Sequence, residues 1–113
     1  MNFVRWLYHV VAHDVTLGDP YAPGSFVQEG YIHCSFRDEV VNSARLYFPA
    51  GARLRVLQID PRRLGCEVRV ADTPRGPMPH VHGRIPRAAI VRELALDQVR
   101  DAPDAVDGDS GSG

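Results

Sequence analysis

Four of the five histidines fall in three short clusters: Tyr8-His9, then Gly30-Tyr31-Ile32-His33-Cys34-Ser35, then Pro79-His80-Val81-His82-Gly83. An imidazole titrates near neutral pH, so it can give a proton, take one or bind a metal with little tuning. Clusters this far apart meet only if the fold assembles them. His9, His33, Ser35 and His80 are therefore the candidate catalytic groups, and His9, His33, Ser35, Arg37 and His82 the candidate ligand-binding groups.

Each reading has a structural competitor. His33-Cys34-Ser35 stands where a strand hands over to a helix, and helix-start amides welcome an anion such as phosphate. Arg37, just inside that start, is placed to help hold it. Ser35 is equally the expected N-cap, worth about 1 kcal/mol with no further role. His80 and His82 share one face if the segment is extended, and His9 or His33 could complete three metal ligands. No carboxylate stands at ligand spacing, so no metal is expected. His9 reads either as a cleft wall or as a buried imidazole tied to a carbonyl. Cys34 neighbours His33, but adjacent strand residues point to opposite faces, which sends the thiol to the core. Cys34 and Cys66 form no CxxC pair and fit reduced thiols.

Several elements must position these groups. Arg5–Ala12 reads as a strand, and His13–Gly24 as loop. Ser25-Phe26-Val27-Gln28 fits a capping box opening a short turn that Gly30 stops in the left-handed conformation. Tyr31–Cys34 is a short strand. Ser35 caps a main helix over about 36–48, with Val40, Val41, Ala44 and Phe48 at helical spacing. Leu54–Ile59 is a strand closed by Asp60-Pro61, and Cys66–Ala71 alternates as another. Asp72–Pro79, with three prolines and a glycine, is expected to be irregular, while His80–Arg84 adds a short strand. Ala88–Leu96 reads as a strand whose first half also suits a helical turn. The fold class is α+β: one compact domain over residues 1–100, a mostly antiparallel split sheet with one main helix. Residues 101–113, acidic and Gly/Ser-rich, form a disordered tail.

The 113 residues carry 13 basic and 14 acidic side chains, and every basic one is Arg. Without lysine there is no Walker-type phosphate loop and no Schiff-base chemistry. The mildly basic body gives nucleic acid only weak support as a partner. No apolar run reaches the ~20 residues of a membrane span, and the N-terminus lacks a signal-peptide pattern, so a cytoplasmic protein with no membrane partner is expected. The Arg, Ala, Gly, Pro and Asp usage reads as a GC-rich bacterial genome.

Tyr8-His9, Gly30–Ser35, Leu57-Gln58-Ile59-Asp60 and Pro79–Gly83 together resemble a small bacterial family, domain of unknown function nine-fifty-two, over about residues 6–96. That family has a "YH" strand, a "GFIHCS" step, an "LEID" strand and a "PHxYG" loop; the chain departs at His82, where the family usually has tyrosine. The order is also similar to bacterial RNA 2′-phosphotransferase. The resemblance implies an ADP-ribosyltransferase-like fold with NAD as possible cofactor, His9 at a ribose hydroxyl, and His33 and Ser35 on the nicotinamide-ribose or phosphate side. Val10-Val11 follows His9 where related enzymes usually have Gly, and their catalytic glutamate has no clear counterpart. The leading expectation is a domain that binds or processes NAD or another small nucleotide or phosphate ligand. The alternatives are a His-based phosphoesterase, for which His80-Val81-His82 lacks the hydroxyl, and a non-catalytic ligand-sensing or interaction domain.

Overall fold

The computed structural model describes residues 4–106. The elements are β1 (Leu7–Ala12), α1 (Phe26–Glu29), β2 (Ile32–His33), α2 (Val40–Tyr47), β3 (Leu54–Ile59), β4 (Val68–Thr73), β5 (Gly76–Val81) and β6 (Ile90–Ala95), with 3-10 turns at Arg37–Glu39, Pro61–Arg63, Arg87–Ala89 and Leu96–Asp101. They build a small α+β domain with two antiparallel three-stranded sheets, ordered β1-β3-β6 and β2-β5-β4.

The central strand β3 is where the expectation was sharpest, and its bounds agree. Val56, Leu57, Gln58 and Ile59 are all buried because both faces of the β1-β3-β6 sheet are covered. On one face Leu7, Val11, Leu57 and Ile59 meet Ile32 and Val81 of the other sheet, with Cys34 just past β2. On the opposite face Tyr8 and Val56 pack with Val40 of α2, Val99 and Ala102. A strand buried on both sides loses the apolar/polar alternation of a half-exposed one, and Val56, Leu57 and Ile59 fill both faces while Gln58 is buried among them.

Three expectations change. The segment Asp72–Pro79 is not irregular: it carries the β4–β5 hairpin, with Thr73 opposite Gly76. Pro79 directs its carbonyl at the Cys34 amide, on the β2 side. Pro77, two residues away, faces the same way, so neither missing N–H interrupts the β4 ladder. The main helix is shorter than 36–48, a 3-10 turn at Arg37–Glu39 running into α2. Finally, residues 101–106 do not behave as a tail. Asp104 pairs with Arg5, its carbonyl accepts from the Trp6 amide, and Tyr8 donates its hydroxyl to the Pro103 carbonyl at 2.5 Å. The buried ring of Tyr8 recruits this segment, a contact that composition does not encode. Residues 107–113 of the expected tail lie outside the described residues.

Asp60 closes β3. Its side chain, 2% exposed, accepts from the Arg62 amide and from the Arg62 guanidinium. Hydrogen bonds from Arg62 hold its carboxyl below the ordinary range despite burial. Asp60→Ala is expected to lower stability by about 1–3 kcal/mol through the abandoned donors. In the parent protein that contribution is present above the ordinary carboxylate range and lost as pH falls through the depressed native pKa. Denaturant melts of both proteins across acid pH check it: the stability gap should close as pH falls.

Candidate functional site

The site begins with an edge left unpaired. β1 exchanges ladder bonds with β3 through Leu7, His9 and Val11, opposite Ile59, Leu57 and Arg55. Its other edge is paired once: the Tyr8 amide donates to the Ser35 carbonyl and the Ser35 amide to the Tyr8 carbonyl, both at 2.8 Å. Strand alternation turns the backbone of Val10 to the same side as that of Tyr8. Among the described residues nothing pairs with the Val10 N–H or C=O. Beyond the Tyr8–Ser35 bridge, β1 and β2 diverge around a cavity of about 470 Å³, lined by Tyr8–Ala12, Tyr21, Glu29, His33–Ser35, Ser43, Tyr47, Phe48 and Met78, among others.

His9 spans the divergence. Its Nδ1 lies 2.7 Å from the His33 carbonyl, which can only accept, so Nδ1 carries the proton. Nε2, 3.0 Å from the Tyr21 hydroxyl, accepts from it. Burial pushes the His9 pKa down to about 4. Both ring nitrogens are engaged with protein and the ring is neutral. His9 therefore lines the cavity as a brace; the expected ribose contact has no free nitrogen to make it.

His33 differs in setting. It is about two-fifths exposed, and its Nε2 donates to Glu29 Oε2 at 3.1 Å. That bond holds the Glu29 carboxyl below its ordinary range. His33 sits opposite His80 in the β2–β5 register, with the rings edge to face at 5.2 Å. Tyr31 stacks on His80 at 4.2 Å and tilts against His82 at 5.5 Å. Partial burial, then the neighbouring imidazoles, lowers the His80 pKa. His80 and His82 thus form a ring cluster beside the cavity, joined to it through His33. Gly83 follows because a Cβ there would meet the Cys66 side chain at 2.8 Å.

Ser35 is buried and lines the cavity, but it caps no helix. The residue before the 3-10 turn is Phe36, which makes no side-chain cap bond. The Ser35 hydroxyl instead meets that of Ser43 on α2 at 2.9 Å, because Ser35 backbone is committed to the β1 bridge. Arg37 is not brought to this cavity. It donates to Asp38 and to the Ala102 carbonyl and lines a separate hollow. Cys34 enters the core, where burial pushes its thiol up to about 12. Among the described residues, no three His, Cys, Asp or Glu side chains gather as a metal-holding group.

Sequence reasoning missed Tyr21, Glu29, Ser43 and Tyr47. Tyr31 was reachable, since two residues before His33 on a strand means the same face. Tyr21 carries no local signal; it reaches β1 from a loop through its bridge to Ile85.

The neutral state of His9 has a pH signature. Between its native pKa of about 4 and its ordinary 6.5 the unfolded chain takes up a proton that the folded chain refuses. Stability is complete above that window and falls as pH drops through it, by roughly 3 kcal/mol at ~1.4 kcal/mol per unit. His9→Gln keeps a donor and an acceptor without the titration. Urea midpoints at about pH 7 and about pH 4.5 should fall less in the variant than in the parent; equal falls would show that His9 titrates normally.

In comparisons with known proteins, no curated protein matches. Among solved structures, the X-ray structure of protein CC0527 from Caulobacter crescentus is similar at 19% identity and a TM-score of 0.66, covering 96% of this chain and 99% of that one. A double mutant of the same protein gives 18% identity, the same TM-score and the same coverage. At such identity the likeness is one of fold. The model of the family described as "Protein of unknown function (DUF952)" matches residues 12–93. That span runs from the end of β1 into β6 and takes in the His33 step and the His80 strand, so the chain belongs to the DUF952 family.

Proposed function

We propose that the cleft between β1 and β2 binds the nicotinamide-ribose end of NAD, or a nucleoside carrying a like carboxamide, in an ADP-ribosyltransferase-like arrangement. The observation that carries this reading is the free Val10 backbone edge facing the cavity. One residue's N–H and C=O on an unpaired strand offer a donor and an acceptor side by side. A primary carboxamide is the complementary pair, as β-strand addition is for a peptide. Tyr21, Tyr47 and Phe48 supply ring faces for a flat heterocycle. The cavity, about 470 Å³, suits a small ligand rather than a macromolecule.

The electrostatics favour the same ligand end. Among the described residues lining the cavity, Glu29 is the one acidic or basic side chain, imidazoles apart. A carboxylate at the rim suits a cationic pyridinium and the cationic ribosyl centre that forms as its bond to the ring breaks. It disfavours a phosphate at the same place, which leaves the phosphoesterase reading with less support. In this assignment His33, held by Glu29, and the Ser35–Ser43 hydroxyl pair orient sugar hydroxyls, where positioning alone supplies several kcal/mol. His80 and Tyr31 support the His33 ring, and His9 keeps the edge open.

Calorimetry with nicotinamide, NAD and nicotinic acid tests the reading. Nicotinic acid replaces the amide donor with a charge, so it should bind more weakly than nicotinamide by about tenfold or more. His33→Ala should weaken NAD binding with an unchanged melting temperature, because the ring is partly exposed. Equal binding of the amide and the acid, or no heat from any of the three, would overturn the proposal.

A further inference from the structure

The second hollow lies on the other side of α2. Its volume is about 320 Å³, and it is lined by Arg37, Asp38, Asn42, Arg45 and Arg100 with two valines. The three guanidinium groups come from three elements: the 3-10 turn Arg37–Glu39, α2, and the last 3-10 turn Leu96–Asp101. α2 divides its surface between the two cavities. Ser43 lines the cleft, while Val41 and Arg45, one turn apart, line the second hollow.

The charge there is unbalanced. Asp38 is the single carboxylate, and it accepts from Arg37 Nε at 3.2 Å. Arg37 is further fixed by donating Nη1 to the Ala102 carbonyl at 3.1 Å, so its orientation is set before any ligand arrives. Arg45 and Arg100 have no hydrogen bond or ion pair among the described residues. Three like charges around one hollow repel each other unless an anion joins them. Arg forks match phosphate oxygens two at a time, and the Asn42 amide adds a neutral donor.

We propose that this hollow is a binding site for a small phosphorylated ligand, with Arg37 pre-set and Arg45 and Arg100 closing on the phosphate oxygens. It is independent of the nicotinamide reading, since its lining residues are not those of the cleft. The hollow exceeds the size of one phosphate, which favours a diphosphate or a phosphate ester over the bare ion.

The probes are inorganic phosphate and pyrophosphate added to the full chain at constant ionic strength, with chloride as the balancing anion. Amide shifts over residues 37–45 and 96–101 are followed by NMR. Saturable shifts are expected, at lower concentration for pyrophosphate than for phosphate. Arg45→Gln combined with Arg100→Gln should weaken binding by about tenfold or more; both side chains are exposed, so the melting temperature should hold. Arg45→Gln alone should give an intermediate loss, and His33→Ala none. Shifts that never saturate, that track ionic strength alone, or that survive in the double variant would overturn the proposal.

Discussion

Among the described residues one backbone bridge, Tyr8 with Ser35, ties β1 to the segment that leaves β2, and the cleft follows from the divergence beyond it. A strand edge inside a protein must have its N–H and C=O groups paired or facing solvent or ligand. Here His9 supplies the first cross-link past the bridge, from β1 to the His33 carbonyl, and Tyr21 caps its other nitrogen. A buried neutral imidazole makes two directed bonds without the desolvation cost of a charge. That brace holds β1 and β2 at a distance that direct strand pairing would abolish, and it leaves the Val10 edge open.

The rest of the fold supports this arrangement from both faces. One core sits between the sheets and includes Ile32, Leu57, Ile59 and Val81. The other packs α2 and residues 99–102 against Tyr8 and Val56. Tyr8 links the two jobs: its backbone makes the bridge, and its buried ring and hydroxyl secure the second core and the Pro103 carbonyl. α2 in turn carries Ser43 to the cleft and Arg45 to the arginine hollow. Its two faces therefore border chemically different cavities, one with a lone carboxylate and one with three guanidinium groups.

Much of the secondary structure was legible because it is local. β3 carries four large aliphatic residues, Leu54, Val56, Leu57 and Ile59, and is stopped by Asp60-Pro61, and Gly30 ends α1 with φ near 78° as a left-handed stop should. The errors share a cause. Ser35 has the composition of a cap, yet its hydroxyl answers to Ser43 because its backbone is taken by β1. Pro77 and Pro79 have the composition of loop, yet a strand accepts them when their missing donors face the short partner β2. In each case local chemistry offered two outcomes and a partner distant in sequence selected one.

The chain by itself determined which residues could do chemistry and most of the segments that would be helix or strand, because residue type and short-range periodicity act over a few neighbours. It also marked His9, His33 and Ser35, three residues that line one cavity. Only the tertiary structure decided what each of them does there. Whether an imidazole is a free acid–base group or a brace depends on what its two nitrogens touch. For His9 those partners are a carbonyl 24 residues away and a hydroxyl 12 residues away, and no local pattern specifies separations of that kind.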